Sequence, residues 1–329
     1  MTTKFSIIIT CHNQKDYIRD AVESACSQGC LDKEIIVVDD ASTDGSPQLL
    51  EQYGDKIRLT KCPINQGASR ARNLGASLAS GDYLVFLDGD DVLLPWALDI
   101  YAGIVDLKRP KVILGTLLWC KGSIPKVKCA EIVREINIVD HAAFVKKDRT
   151  YRGCASALVV ERQTFDDVKG WTNDFFPGEV DDLLIKLGCS GRAIQICSPP
   201  TTGYRVHGGN TVHQVRSFVQ MMRRIIRNER TGQYRRGTCT GFERYAFIGG
   251  PVFFWAKRSL QARDYVPALR LLASGGPMIL AAIFLRFCTI IKGRRPIEII
   301  GCNQDNEILF CPHCQKAGGH CPQGAPKST

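Results

Sequence analysis

The run Phe86-Leu87-Asp88-Gly89-Asp90-Asp91 closes an apolar stretch that begins at Tyr83 and is preceded by Gly81 and Asp82. A short apolar run bounded in this way predicts a buried β-strand. Three carboxylates therefore stand where a strand gives way to a loop, the edge of an α/β sheet at which ligands usually bind. So many acids in so few residues repel one another, and a divalent cation relieves that repulsion. Mg²⁺ and Mn²⁺ favour such hard oxygen ligands, usually shared with substrate phosphates. The plainer reading is a polar loop with a helix cap, because Asp91 lies shortly before Pro95 and acids favour helix starts.

The segments upstream repeat the pattern. Residues 5–10 read as a first strand ending in Cys11-His12-Asn13, and residues 15–28 as an amphipathic helix. Residues 34–38 form an apolar run led by one acid, as in a strand buried on both faces, and end in Asp39-Asp40-Ala41-Ser42-Thr43-Asp44-Gly45-Ser46. Strand, helix, strand in this rhythm predicts a parallel sheet with right-handed crossovers. Asp40, Ser42 and Asp44 suit caps and turns, but acids after a second strand also accept hydrogen bonds from a base or ribose. Residues 57–60 read as a third strand. Asn65 to Asn73 then opens a helix in which Gly67 permits close backbone approach, and the helix start with Arg70 and Arg72 offers a phosphate site. Two arginines spaced by two cannot share one helix face, so one of them should point inward.

In order and content these segments resemble the nucleotide-binding half of a glycosyltransferase family 2 enzyme with a GT-A fold. The resemblance covers roughly the first hundred residues, through four ordered motifs: 6–13, 34–46, 65–73 and 81–91. It implies an α/β protein with a mostly parallel, Rossmann-like central sheet flanked by helices, and a helical C-terminal extension. It implies a nucleotide-sugar donor, commonly a UDP-sugar, held by Thr10, His12, Asn13, Asp40, Ser42, Asp44, Gly67, Arg70, Arg72, Asn73, Asp88 and Gly89. Asp90 would bind the Mg²⁺ or Mn²⁺ that bridges the diphosphate. The expected organisation is a GT-A domain over 1–212, divided near 107 into donor and acceptor halves. A basic, amphipathic helical extension over 213–300 and a tail over 301–329 would follow.

The acceptor half is expected to hold a helix over 95–107, a strand over 112–119, a helix over 138–147, a strand over 153–160 and a helix over 161–168. Sugar transfer with inversion needs a carboxylate to take the proton of the attacking hydroxyl. The candidates lie in Pro177-Gly178-Glu179-Val180-Asp181-Asp182, just ahead of a helical pattern. Family members usually carry Glu-Asp-x-Asp-Leu here, with the second acid as base, and in this chain that position is Val180. Either Glu179 or Asp181 takes the role, with Asp181 narrowly preferred, or catalysis is impaired; Asp182 reads as a helix cap. Tyr204-Arg205-Val206-His207-Gly208-Gly209-Asn210 resembles the family segment that closes over the diphosphate. His207 would then touch metal or phosphate, and Arg205 would help with leaving-group charge.

Beyond residue 212 the chain is basic, and residues 277–291 are strongly apolar apart from Arg286. Fifteen residues with an internal arginine are short for a membrane span. An interfacial helix with basic flanks, docked on anionic cytosolic lipid, is the expectation, against a helix packed on the protein's own core. The net charge of +10 likewise suggests an anionic partner. A lipid-linked or glycan acceptor follows from this reading. Little room for a signal peptide before residue 5, and 15 cysteines scattered mostly singly, suggest free thiols and a cytoplasmic protein, peripheral to the membrane at most. Cys302, Cys311, Cys314 and Cys321, with His313 and His320 between them, have the ligand types of a small structural zinc knuckle. A weakly catalytic nucleotide-sugar-binding protein, or a nucleic-acid binder using the basic surface and this tail, are the rivals. No stacking-aromatic platform or docking motif supports nucleic acid as a partner.

Overall fold

A computed structural model of the chain describes residues 3–29, 32–122, 135–146, 151, 153–210, 214–234, 237, 239–302 and 308–310. Strand β1 (Phe5–Cys11) is buried along its whole length and lies between β2 (Lys33–Asp39) and β4 (Tyr83–Asp88), parallel to both. β3 (Arg58–Lys61) adds to β2, again parallel. Helix α1 (Ile18–Cys26) presents Ile18, Ala21, Val22 and Ala25 to the sheet, the spacing of one helical face. It starts later than expected because Gln14–Tyr17 form a turn, with the Tyr17 and Ile18 amides donating to the Gln14 carbonyl. The short α2 (Ser46–Glu51) leads to β3, and α3 (Ala68–Ser77) returns the chain to β4. At Gly75 of α3 an added Cβ would lie 2.4 Å from Ile8, so glycine there lets the helix seat directly on the sheet.

The far half of the sheet departs from the parallel pattern. β9 (Leu158–Glu161) runs antiparallel between β4 and β6 (Val112–Leu114), and β8 (Glu135–His141) runs antiparallel to β10 (Ala193–Ser198). The ten-stranded sheet is therefore mixed, with an all-parallel donor half. Residues 138–141, expected to be helical, belong to β8. Their apolar run fits either state, and pairing with β10 decides it. The stretch 112–119 is not one strand. It breaks at Gly115–Thr116, and β7 (Leu117–Lys121) crosses to a small sheet with β11 (Thr202–Val206) and β5 (Val92–Leu93). That second sheet lays the exit of β11 beside the acidic loop that follows β4.

Helix α4 (Ala97–Lys108) covers one face of the sheet, and α5 (Arg162–Asp167) and α6 (Glu179–Leu187) belong to the acceptor half. The expected helical C-terminal extension consists of three helices, α7 (Val215–Arg230), α8 (Gly241–Gln261) and α9 (Tyr265–Lys292). α8 is started by a capping box between Thr240 and Glu243. α8 and α9 approach closely at Gly249, where a Cβ would meet the Met278 carbonyl at 2.0 Å. The chain then rejoins the sheet: β12 (Glu298–Cys302) pairs with β8, and β13 (Ile308–Phe310) pairs with β12. The expected tail thus begins as sheet edge.

Candidate active site

The C-terminal ends of β1, β2 and β4 converge, and their loops are stitched together by side chains. The Asn13 amide N–H donates to Ser42 Oγ at 2.9 Å, and Thr43 N–H to Asn13 Oδ1 at 2.8 Å. His12 Nδ1 lies 2.7 Å from the Asp40 carbonyl. Asp44 accepts from the amides of Lys15 and Ser46 and from Ser46 Oγ, so its carboxylate ties the first loop to the start of α2. Burial would raise its pKa, but these bonds prevail and hold it below the ordinary aspartate value. Asp40 is buried and accepts the N–H groups of Gln66 and Gly67 at 2.8 and 2.7 Å. It therefore anchors the loop ahead of α3, and each oxygen retains a lone pair for a ligand. Gly67, at φ 85°, sits at the start of α3. Gly89 donates to the Thr10 carbonyl and is packed so tightly against Gln14 that a Cβ would lie 2.4 Å from its side chain.

Of the two arginines on α3, Arg72 is the buried one and Arg70 the exposed one. Arg70 reaches Asp174 at 3.5 Å. Arg72 donates to Asp88 Oδ1 at 2.6 Å and to Glu179 Oε1 at 3.1 Å, with its guanidinium 4.8 Å from the centre of the Trp171 ring. Burial opposes its charge, but Asp88 and Glu179 outweigh that and raise its pKa above the usual arginine value. Asn73 departs from the expected ligand role. Its side chain both donates to and accepts from the Trp171 backbone, at 2.8 and 2.9 Å, and so fixes the 170–173 loop.

The acidic loop divides its three carboxylates among different partners. Asp91 is fully enclosed, accepting from Ser156 Oγ at 2.6 Å and from the Arg205 amide at 3.0 Å. It supports β11. Burial, then Asp90 and Asp88, push its carboxyl well above the usual range. Asp90 Oδ2 meets His207 Nε2 at 2.9 Å, and burial with the nearby Asp88 charge raises its pKa. His207 stacks on Tyr17, ring centroids 5.1 Å apart. Arg205, expected to help with leaving-group charge, is held by protein partners. It is spent on Asp20 at 2.8 Å, on the carbonyls of Asp90 and Gly122, and over the Tyr17 ring. Tyr17 and Asp20 are thus site-shaping residues that sequence reasoning missed, since neither stands in a recognisable motif.

Asp90 and His207 fit a divalent cation completed by the substrate. They offer one carboxylate and one imidazole, 2.9 Å apart, in the acidic loop that also carries Asp88 and Asp91. Among the described residues no group of three or more His, Cys, Asp or Glu side chains could hold an ion. Mg²⁺ and Mn²⁺ sites of one or two protein ligands plus phosphate and water have this character.

On the acceptor side, α6 starts at Glu179 behind Gly178, a glycine at φ 109°. Glu179 faces Arg72, and its second oxygen accepts the Gly178 amide at 2.9 Å. Asp182 lies inside the helix rather than capping it, and accepts from Thr172 Oγ1 and Tyr234 Oη, each at 2.6 Å. Asp181 has a different setting. It lines a crevice with Ile185, Met222, Ile225 and Pro251, between α6 and the C-terminal helices. Cys302 lies in β12, while Cys311, Cys314 and Cys321 fall outside the described residues.

Residues 6–147 match the model of Glycosyl transferase family 2. An uncharacterized glycosyltransferase of Haemophilus influenzae is 38% identical over 91 residues, 27% of this chain and 36% of that protein. The putative teichuronic acid biosynthesis glycosyltransferase TuaG of Bacillus subtilis is 42% identical over 89 residues, 26% and 35% of the two chains. These matches span about a third of the relatives' own length. The crystal structure of S. aureus TarS 1–349 in complex with UDP-GlcNAc shares the fold, with a TM-score of 0.63 at 16% identity, over 94% of this chain and 99% of that one. Over residues 6–147 the chain is therefore similar to glycosyl transferase family 2, and its fold is that of the TarS domain, GT-A-like.

Proposed function

We propose that this protein transfers a sugar, with inversion, from a nucleotide sugar, most simply a UDP-sugar, to a hydroxyl of a glycan or lipid-linked acceptor. The observation that carries this reading is the Arg72 bridge, which joins Asp88 at the end of β4 to Glu179 at the start of α6. It sets a donor-side acid and an acceptor-side acid on one guanidinium. The nucleoside would rest against the Thr10–Asn13, Asp40–Asp44 and Gly67 loops, with Asp88 and Gly89 beneath the sugar. Arg70, exposed at the start of α3, would meet the diphosphate.

In the reaction, Glu179 accepts the proton of the acceptor hydroxyl. The oxygen bonds to the anomeric carbon from the face opposite the diphosphate, and the carbon–oxygen bond to the diphosphate breaks, releasing the nucleoside diphosphate. Arg72 holds Glu179 in place through the 3.1 Å contact to its Oε1, which orients the carboxylate for proton transfer. A divalent ion held by Asp90 and His207 would neutralise charge on the departing diphosphate. Nine of the described cysteines, from Cys11 to Cys288, are free thiols, in keeping with action on the cytoplasmic side.

Calorimetric titration of UDP with and without Mn²⁺, on the wild type and Asp90→Ala, tests the donor site. Binding that requires Mn²⁺ and disappears in the variant supports the reading, and no UDP binding under either condition removes UDP as the donor nucleotide. A second reading is favoured by Val180, which stands at the family's base position, and by the hydrogen bonds already made by both Glu179 oxygens. It is a nucleotide-sugar-binding protein with little turnover, and donor binding without transfer or donor hydrolysis would be its signature.

A further inference from the structure

The α8–α9 hairpin carries an apolar face that nothing in the described structure covers. Along α9, Leu269, Leu280, Ile283, Phe284, Phe287 and Ile290 are each 58–73% exposed. Their spacing by three, four and seven puts the last five on one side of the helix. Phe284 packs edge-on against Phe242 of α8, ring centroids 5.8 Å apart, and Phe253 and Phe254 extend the exposed patch along α8. Monomeric soluble proteins rarely leave so many large apolar side chains contiguous and exposed.

The charge around this face is one-sided. Lys257, Arg263, Arg270, Arg286 and Arg294 are exposed on the hairpin and just beyond it. Its acids are both engaged: Glu243 is held by the Thr240 cap and Lys146, and Asp264 by Arg216. Exposed apolar rings with uncompensated cations beside them match the acyl boundary and phosphate layer of an anionic bilayer. A second copy of the same basic face would repel it.

By length and composition α9 is long and apolar enough to cross a bilayer by itself. Crossing is opposed by its neighbour. α8 lies along it through the Gly249–Met278 contact and would carry the Arg244–Glu229 ion pair into hydrocarbon. We infer that the α8–α9 hairpin lies in the plane of an anionic phospholipid membrane, with Leu280, Ile283, Phe284, Phe287 and Ile290 inserted and Arg270 and Arg286 at the phosphates. The hairpin is linked to the acceptor side of the site. α7 stacks Arg224 over Phe175, donates from it to the Asp174 carbonyl at 2.9 Å, and sets Met221 against Gly178. Docking would hold that edge near the lipid, whatever reaction the site performs.

Flotation of the full chain with vesicles tests this without any sugar donor. Phosphatidylcholine vesicles are compared with vesicles in which part of it is replaced by phosphatidylglycerol. The wild type should float with the anionic vesicles and be released by salt. Ile283→Ser/Phe284→Ser/Phe287→Ser should lower partitioning at least about tenfold, and Arg270→Glu/Arg286→Glu similarly, at roughly fivefold or more per cation. Circular dichroism and UDP binding show whether the variants remain folded. Unchanged partitioning of folded variants, or no anionic preference, overturns the inference. So does a wild-type dimer, seen by light scattering, that the serine variant dissociates and that ignores vesicles.

Discussion

Arg72 and Glu179 lie 107 residues apart in sequence and 3.1 Å apart in space, both almost fully buried. Removing one member of such a cluster leaves charge stranded in a low-dielectric interior, which typically costs about 3–5 kcal/mol. Arg72→Ala should lose stability on that scale in urea unfolding. Removing the stranded acid as well, with Arg72→Met/Glu179→Gln, should recover part of it, because Asp88 alone is then left without its cation. A loss under about 1 kcal/mol for the single variant would mean the bridge is solvated.

The two candidate bases separate kinetically. Glu179→Gln keeps the shape of the site and removes its proton acceptor, so transfer should fall by roughly 10²–10⁴-fold, the usual range for a general base, with UDP affinity nearly unchanged. Asp181→Asn, in the crevice beside Met222 and Pro251, should stay within a few-fold of wild type. The reverse pattern would hand the role to Asp181.

His207→Ala should weaken Mn²⁺-dependent UDP binding roughly 10–100-fold, the scale on which perturbing a metal site acts. Metal-free UDP binding should change little, since His207 contacts Asp90 and Tyr17 rather than the nucleoside loops. Equal losses with and without metal would show that His207 acts through the fold of the 204–210 segment. Chelation of the wild type should reproduce the His207→Ala affinity or fall below it.

Acid stability offers a check far from the reaction. Burial raises the Glu34 pKa, but Ser6 Oγ at 2.6 Å, the Ser80 amide at 2.7 Å, Ser80 Oγ and Lys4 outweigh it and hold it below its ordinary 4.5. A carboxyl depressed in the folded state stabilises above its unfolded value and loses that contribution as pH falls through the folded one. The stability gap between wild type and Glu34→Gln should therefore be fully present at about pH 6 and shrink as pH falls below 4.5. Urea midpoints across that range measure it. A gap independent of pH would mean that the Glu34 charge plays no part.

What could be read from the chain and what could not divide along a physical line. Phe5–Cys11, Lys33–Asp39 and Tyr83–Asp88 are apolar runs ending in polar loops, and local pattern suffices to make them parallel strands with a ligand edge. The inward turn of one α3 arginine followed from helical spacing alone. Tertiary pairing decided the rest. Residues 138–141 are strand because β10 offers them a ladder, and 112–119 divides because its two halves find different sheets. Asn73 and Arg205 carry the residue types of ligand binders, yet their bonds go to Trp171 and Asp20, partners 98 and 185 residues away. Which acid of the 179–182 run faces the donor depends on the roll of α6 against Arg72, a contact that sequence order leaves undetermined. Alternation and turn chemistry are encoded locally, whereas the partner of a polar side chain is chosen by the packing of elements distant in sequence.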